Sequence, residues 1–158
     1  MKNAPIKRSS YVVALSRDHH AGLLFCWKIK EGLKKGASSE RIANYVRFFW
    51  EEHLWEHFQE EEILLFNQHA SELTRRGKAE HASLEILFRL IADGQLEQPN
   101  YLAFTEQLIA HIRFEERELF PHLEKVLPVP ALAAIGNILA KLHVLPFEDK
   151  YADEFWIK

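Results

Sequence analysis

The sequence repeats one ten-residue pattern, H-F-Q-E-E-E-I-L-L-F at residues 57–66 and H-I-R-F-E-E-R-E-L-F at residues 111–120. With their histidines aligned, both copies read His-x-x-x-Glu-Glu-x-x-Leu-Phe. Residues four apart lie on the same face of an α-helix, so each copy would present one imidazole beside one carboxylate. The Leu-Phe pair that closes each copy indicates an apolar face that anchors the following turn. Two such helices packed face to face would bring two histidines and two glutamates together.

Apolar residues that recur at spacings of three and four predict four long amphipathic helices. The first helix should be capped by Ser9 or Ser10 and stop at Gly36, and the second should be capped by Ser38 or Ser39 and end near Gln68. The third should start near Ser71 and end at Ala92, before Asp93-Gly94. The fourth should start at Pro99-Asn100. Short connections between long helices predict an all-α, antiparallel up-down-up-down four-helix bundle. No segment alternates with the period of a strand, so no sheet is expected.

The C-terminal third contains two proline signals and an aromatic tail. Pro121 cannot occupy an undisturbed helix interior, which predicts a kink or a restart at this point. The segment L-P-V-P at residues 127–130 should end the fourth helix, and residues 131–143 form a further short helix. The tail from Pro146 carries four aromatic residues and is expected either to dock across the bundle or to form a homodimer contact: Phe147, Tyr151, Phe155 and Trp156.

Composition narrows the class of protein. A chain of 158 residues predicts a single domain over residues 1–158 that can bury a core without disulfides. The only cysteine, Cys26, cannot form an internal bridge, which is typical of a reducing cytosol. No apolar run has the length of a signal peptide core or of a membrane helix, so a cytoplasmic protein without a membrane partner is expected. A net charge of −3 without a long basic run gives no reason to expect nucleic acid.

Each predicted helix has polar residues in the middle of its apolar stripe. They are His19 on the first, His57 and Glu61 on the second, His81 on the third, and His111 and Glu115 on the fourth. One such residue alone is more often a core histidine with a partner or a solvated glutamate. Six together are different, because each buried polar group without a partner costs about 1–3 kcal/mol and a domain has only about 5–15 kcal/mol of net stability. The pattern therefore predicts bound metal.

The set of ligands indicates which metal. Two carboxylates among four imidazoles suit two ions that the carboxylates bridge, with iron preferred and manganese or zinc as alternatives. Two histidine nitrogens, one oxygen from each glutamate and a bridging oxo or hydroxo group give five ligands per ion. Six-coordinate iron would keep one position for O₂, NO or peroxide. The Glu-x-x-His motif of other di-iron bundles, the His-Glu-x-x-His motif of zinc proteases, G-x-S-x-G and the P-loop are missing from the sequence.

Over about residues 11–127 the sequence resembles the hemerythrin-like family, also called the HHE cation-binding domain. The resemblance is carried by Leu15-Ser16-Arg17-Asp18-His19, by the two His-x-x-x-Glu copies, by the isolated His81, and by Leu119-Phe120-Pro121. It implies that the four histidines are terminal iron ligands and that the two glutamates bridge the irons: His19, His57, His81, His111, Glu61 and Glu115.

The chain departs from the oxygen-carrying hemerythrins at two positions. Those proteins have a fifth histidine one turn after the first on the third helix, where this chain has Glu85, and an aspartate five residues after the last histidine, where it has Glu116. These two differences argue against reversible O₂ transport. The pattern of this chain is more similar to that of the sensor and iron–sulfur repair branches of the family. Two functions stay open: a di-iron protein that binds or senses O₂, NO or iron, and a di-iron enzyme or iron donor in cluster repair or in NO or peroxide reduction.

Further residues have more than one interpretation each. His53 is a reserve ligand, a donor that orients another ligand, or a partly buried helix histidine. His20 is a rival of His19, and Glu85 is either an additional ligand or a solvated residue. Gly22 either leaves room for a ligand near the metals or allows close helix packing. Three histidines near helix ends are expected at the surface: His69, His122 and His143.

Overall fold

The computed structural model describes residues 12–94 and 97–157. This part of the chain is helical and contains no strand, which confirms the predicted all-α class. Three helices are single segments: α1 (Val13–Lys34), α3 (Glu72–Ala92) and α5 (Val129–Leu142). Helix α2 consists of five segments that follow one another without a break: Ser39–Phe49, Trp50–Leu54, Trp55–Glu60, Glu61–Leu65 and Phe66–Gln68. Helix α4 consists of three such segments: Gln98–Phe114, Glu115–Leu119 and Phe120–Val126. The caps predicted at Ser9 or Ser10 lie outside the described residues.

Local sequence signals account for the helix limits. The Ser38 hydroxyl accepts a hydrogen bond from the backbone N–H of Arg41 at the start of α2, and Ser71 forms a reciprocal capping box with Thr74 at the start of α3. Gly36 and Gly94 follow α1 and α3 with φ angles of 72° and 98°. These left-handed conformations favour glycine and end a helix. The predicted limits of α2 and α3 are therefore confirmed.

The spacing of core residues distinguishes the regular α-helices from those that contain π-helical turns. In α1 and α3 the buried positions alternate at three and four, whereas α2 has successive steps of four. An α-helix has 3.6 residues per turn, so each step of four rotates a side chain by about 40°, and several in succession leave the buried face. The structure contains wider π-helical turns at Trp50–Leu54 and Glu61–Leu65 in α2 and at Glu115–Leu119 in α4. These turns keep both halves of each helix facing the core.

One π-helical turn also accommodates Pro121. The backbone N–H of Phe120 bonds to the carbonyl oxygen of Glu115, five residues earlier, and an ordinary α-helix restarts at Phe120. The predicted restart at Pro121 is confirmed, and the change of hydrogen bonding begins at the glutamate of the repeated motif. Leu127 is extended, so the L-P-V-P segment ends α4 as predicted.

Contacts join α1 to α2, α2 to α3, α3 to α4, and α4 to α1. These neighbours are compatible with the predicted up-down-up-down order. Two apolar clusters fill the interior: one centres on Phe25, Phe49 and Phe104, and the other on Leu15, Phe66 and the buried face of α5. The polar residues of the apolar stripes lie where the two clusters meet along each helix. None of the described helices has the length and apolar composition of a membrane span.

The C-terminal tail docks against α1 and α2, one of its two predicted roles. Phe155 is fully buried in the first cluster. Asp149 accepts a hydrogen bond from Lys28 Nζ at 3.0 Å and another from the hydroxyl of Tyr45, and Arg41 pairs with Asp153. The tail thereby covers the apolar side of α1 near Gly32.

We expect Gly32→Ala to destabilise the protein by about 1–3 kcal/mol, the range for overpacking a filled core. A Cβ at residue 32 would lie 2.4 Å from two ring atoms of Phe155. This clash outweighs the gain of up to about 1 kcal/mol that alanine brings to a helix interior. Urea unfolding measures the effect. Phe155→Leu should cost less in the Gly32→Ala background than in the unchanged protein, and additive losses would contradict this account.

Candidate metal centre

The six residues singled out by the repeated motif and the apolar stripes meet in the middle of the bundle. Glu61 and Glu115 are fully buried, and none of the four histidines is more than 4% exposed. Helix α1 contributes His19, α2 contributes His57 and Glu61, α3 contributes His81, and α4 contributes His111 and Glu115. The expectation that these side chains converge is therefore fulfilled in position; their role as metal ligands remains a prediction.

The six side chains form two groups that share both glutamates. One group contains His19 and His57, and the other contains His81 and His111, each together with Glu61 and Glu115. Within each group the possible ligand atoms lie within 4.8 Å of one another. The two oxygens of Glu61 point to different groups, since Oε2 lies 3.1 Å from His57 Nε2 and Oε1 lies 3.1 Å from His81 Nε2.

Glu115 is arranged in the same way. Its Oε1 lies 2.8 Å from His19 Nε2, and its Oε2 lies 3.1 Å from His111 Nε2. Each carboxylate thus spans the two groups, as a ligand that bridges two ions would. Two sites, each with two imidazoles and one oxygen from each glutamate, is the arrangement that the sequence predicted.

Several of these buried atoms lack a hydrogen bond. Within the described residues, four of these atoms have no hydrogen bond of suitable geometry: His57 Nε2, His111 Nε2 and both oxygens of Glu115. Each of them nevertheless has an atom of an oppositely charged group within about 3 Å. Unsatisfied buried polar groups are costly and rare. Close nitrogen and oxygen atoms that share a centre but do not bond to each other fit ligands of a common ion.

A second ring of carboxylates fixes the histidines from outside. His57 Nδ1 lies 3.0 Å from Asp18, His81 Nδ1 2.7 Å from Glu62, His111 Nδ1 2.7 Å from Glu80, and His19 Nδ1 2.9 Å from Glu116. An ionised carboxylate only accepts hydrogen bonds, so each Nδ1 must carry the proton. Each Nε2 is then oriented toward the centre, as in the carboxylate–histidine–metal arrangement of many metal sites.

The outer carboxylates follow a closed order around the bundle. Each helix supplies the carboxylate that holds the histidine of the next helix: α1 holds α2, α2 holds α3, α3 holds α4, and α4 holds α1. The phenylalanine of each motif copy also contacts the histidine of the next helix in this order. Phe66 of α2 stacks on His81 of α3, and Phe120 of α4 stacks on His19 of α1.

The bundle therefore consists of two similar halves, each of which contains one copy of the repeated motif. The pair α1–α2 contributes Asp18-His19 and the first copy of the motif, and the pair α3–α4 contributes Glu80-His81 and the second copy. Each copy supplies a histidine and a bridging glutamate to the centre, and its second glutamate and its phenylalanine position the histidine of the following helix. These contacts explain the two glutamates and the phenylalanine of the pattern Glu-Glu-x-x-Leu-Phe.

The electrostatics of the cluster is that of tightly paired opposite charges. Burial by itself would lower the pKa of an imidazole, but nearby carboxylates outweigh it: the pKa of His19 and of His81 lies well above the ordinary value, and that of His57 rises to about 9. Burial would raise the pKa of Glu115, but the surrounding imidazoles hold it well below its ordinary value. The glutamates are therefore ionised, and protons compete with metal for the imidazoles.

The structure decides between the alternatives for three other residues. His53 is buried, stacks on Phe147 with ring centroids 4.1 Å apart, and has a pKa lowered to about 4 by burial. His20 is exposed, which confirms His19 as the inward member of the pair. Glu85 is half-exposed and pairs with Arg89 at 3.5 Å. None of the three belongs to either group of candidate ligands within the described residues.

Sequence reasoning missed the outer carboxylates. Their signal is adjacency, because each follows or precedes a predicted ligand directly: Asp18, Glu62, Glu80 and Glu116. The surface position expected for His143 is wrong, since its side chain is only 14% exposed and its Nε2 lies 2.6 Å from Glu60. His69 and His122 are also partly buried. Helix ends are poor guides to exposure where another element packs over them.

A small space of about 10 Å³ adjoins the centre beside His57 and His111. Apolar side chains form most of its wall: Leu54, Phe58, Leu108 and Ile112. Gly22 also lines it, and a Cβ there would approach within 3.0 Å of Ile112 Cδ1. Gly22 therefore permits close packing of α1 on α4 at the wall of this space. Its other interpretation, room for a ligand near the metals, stays a prediction.

The family description Hemerythrin HHE cation binding domain matches residues 12–129, which include all six candidate ligands and all four outer carboxylates. No curated protein and no solved structure matched the chain. The match covers most of the chain, and the buried His/Glu groups fit a protein that binds metal cations. The chain belongs to the hemerythrin HHE cation-binding domain family.

Proposed function

We propose that this protein is a non-haem di-iron protein that binds or senses a small ligand, O₂ or NO, at two ions held by His19, His57, His81, His111, Glu61 and Glu115. The observation that supports it most directly is the set of buried atoms without hydrogen bonds that face one centre. Two shared carboxylates and four imidazoles favour a pair of iron ions over a tetrahedral zinc site. Bound iron would supply an open coordination position for the ligand.

The surroundings favour a very small ligand. The space of about 10 Å³ beside His57 and His111 is large enough for about one water molecule, and its wall is mainly apolar. An apolar wall offers few hydrogen bonds to a polar substrate, whereas a diatomic molecule needs none to enter. The outer carboxylates hold the Nδ1 side of each imidazole, so that each Nε2 faces the centre, where metal would displace its proton.

Metal analysis and visible spectroscopy of protein purified from iron-supplied cells test this proposal. Two irons per chain and a visible band are expected. Anaerobic reduction followed by O₂ or NO should then give a stable, reversible adduct. Protein without metal that also binds none on reconstitution would overturn the proposal, and rapid turnover of the added gas would replace binding by catalysis.

Among the outer carboxylates, Glu116→Ala should lower iron affinity by about 10- to 100-fold, the usual effect of removing a carboxylate behind a metal-bound histidine. Glu116 holds His19 Nδ1 at 2.9 Å and lies on the metal-distal side of the ring. A competition titration against a chelator measures the change. Glu118→Ala is the matched control, because Glu118 lies on the same turn but is exposed. Equal affinities in the two variants would contradict the assigned role of Glu116.

A further inference from the structure

A third group of possible ligands lies outside the centre, where α1, α2 and the end of α5 meet. It consists of Asp18, Glu60 and His143, whose possible ligand atoms lie within 4.8 Å of one another. The three side chains are 7%, 11% and 14% exposed. They come from three separate parts of the chain, so their approach is a product of the fold.

The imidazole of His143 does not satisfy both carboxylates. Its Nε2 lies 2.6 Å from Glu60 Oε2, a short hydrogen bond that places a proton on Nε2. Its Nδ1 lies 4.0 Å from Asp18 Oδ1, too far for a hydrogen bond. Two ligand atoms that are each about 2.0–2.2 Å from a tetrahedral zinc ion lie about 3.4 Å apart, so an ion held by one imidazole nitrogen and both carboxylates would displace the Nε2 proton and rearrange the three side chains.

The duplicated half of the molecule shows what occupies the equivalent position. Glu80 corresponds to Asp18; it holds His111 with one oxygen, and its other oxygen accepts a hydrogen bond from Arg76 Nε at 2.8 Å. Asp18 holds His57 with Oδ2. Within the described part of the chain, no lysine or arginine forms an ion pair with Asp18 or Glu60. In the half formed by α3 and α4, the positive charge of Arg76 thus lies beside Glu80. The equivalent position beside Asp18 is surrounded by two carboxylates and one imidazole.

We propose that Asp18, Glu60 and His143 form a third cation site, for a divalent transition ion such as Zn²⁺, outside the central pair. One imidazole and two carboxylates are ligands that zinc accepts, and water would complete the coordination. The ion would tie the end of α5 to α1 and α2. It would also contact the carboxylate that orients His57, which connects the third site to the centre through one side chain.

Native mass spectrometry of the full chain with Zn²⁺ added tests the number of ions. Three ions are expected for the unchanged protein and two for both His143→Ala and Glu60→Gln, with affinity for the third ion reduced by about tenfold or more. His20→Ala, which removes an exposed histidine, is the matched control and should keep three. Crystals soaked in Zn²⁺ should show anomalous scattering between Asp18 and His143.

Each result discriminates. Two ions in the unchanged protein and in every variant would overturn the third site and leave the central pair standing; the cluster would then be only a hydrogen-bonded contact. A third ion that persists in His143→Ala and Glu60→Gln would be an adventitious ion only. A single ion that is lost in these variants alone would support the third site and contradict the central pair.

Discussion

Replacing Glu61 by alanine is expected to remove both central ions at once and to lower the melting temperature by about 10–20 °C. The reason is that its two oxygens face different groups of histidines, so the loss of one side chain leaves both sites incomplete. An ion present at a hundredfold excess over its dissociation constant stabilises the fold by about 2.7 kcal/mol. Two ions give about 5 kcal/mol, and about 2–4 °C per kcal/mol applies to a chain of this size.

A histidine variant should behave differently from the glutamate variant. His57→Ala removes a ligand from only one group, so one ion is expected to remain. Glu52→Ala, at an exposed position of α2, controls for the loss of a glutamate from this helix and should retain both ions. Metal counts and melting curves of the three variants provide the measurement. A Glu61→Ala protein that keeps one ion would show that the glutamate does not bridge.

The second large effect is the dependence of metal binding on pH. Near neutral pH the imidazoles of the metal-free protein carry protons, because the carboxylates raise their pKa; that of His57 is about 9. Each ion must displace protons from two imidazoles. We therefore expect the affinity for each ion to rise by up to about a hundredfold per pH unit between pH 6 and 8, two protons being released per ion.

The stability of the metal-free protein should change in the opposite direction. A histidine whose pKa is raised on folding stabilises the fold fully below its unfolded pKa of about 6.5, and this contribution is lost as the pH rises through the folded pKa. For His57 the loss is complete only above about pH 9. Glu115 has a lowered pKa, so its contribution is present above about pH 4.5 and is lost as the pH falls.

Melting curves from pH 5 to 9, with and without a chelator, measure both trends. The stabilisation by metal should grow steadily with pH, because the metal-free form weakens while the metal-bound form gains affinity. Calorimetry in two buffers of different ionisation enthalpy counts the released protons. A constant difference between the chelated and metal-bound proteins across this range would contradict the assignment of the four imidazoles.

Much of the architecture was accessible from the sequence because it depends on local physics. The buried stripe of α3, which contains His81, alternates at three and four, and its caps are chemical signals read within one turn. The π-helical turns also have a local signal, the successive steps of four in α2. The repeated motif identified Glu61 and Glu115 since two identical patterns on amphipathic helices place the same side chains at equal depth.

The outer carboxylates needed the folded structure. Asp18 and Glu80 are adjacent in sequence to His19 and His81, yet each holds the histidine of another helix. Adjacent residues on a helix point about 100° apart, so a residue next to an inward ligand faces a neighbouring helix whose identity the local pattern does not state. His143 was misplaced for the same reason, because the packing of α5 over α1 and α2 brings it to Glu60.

The sequence by itself determined the class of fold, the helix limits and the six residues of the centre, since hydrophobic period, capping and motif repetition act over a few turns of chain. The tertiary structure alone decided which carboxylate holds which histidine, the docking of the tail on Gly32 and the meeting of Asp18, Glu60 and His143. These are contacts between segments far apart in the chain. Their geometry depends on how the helices pack, which no local pattern encodes.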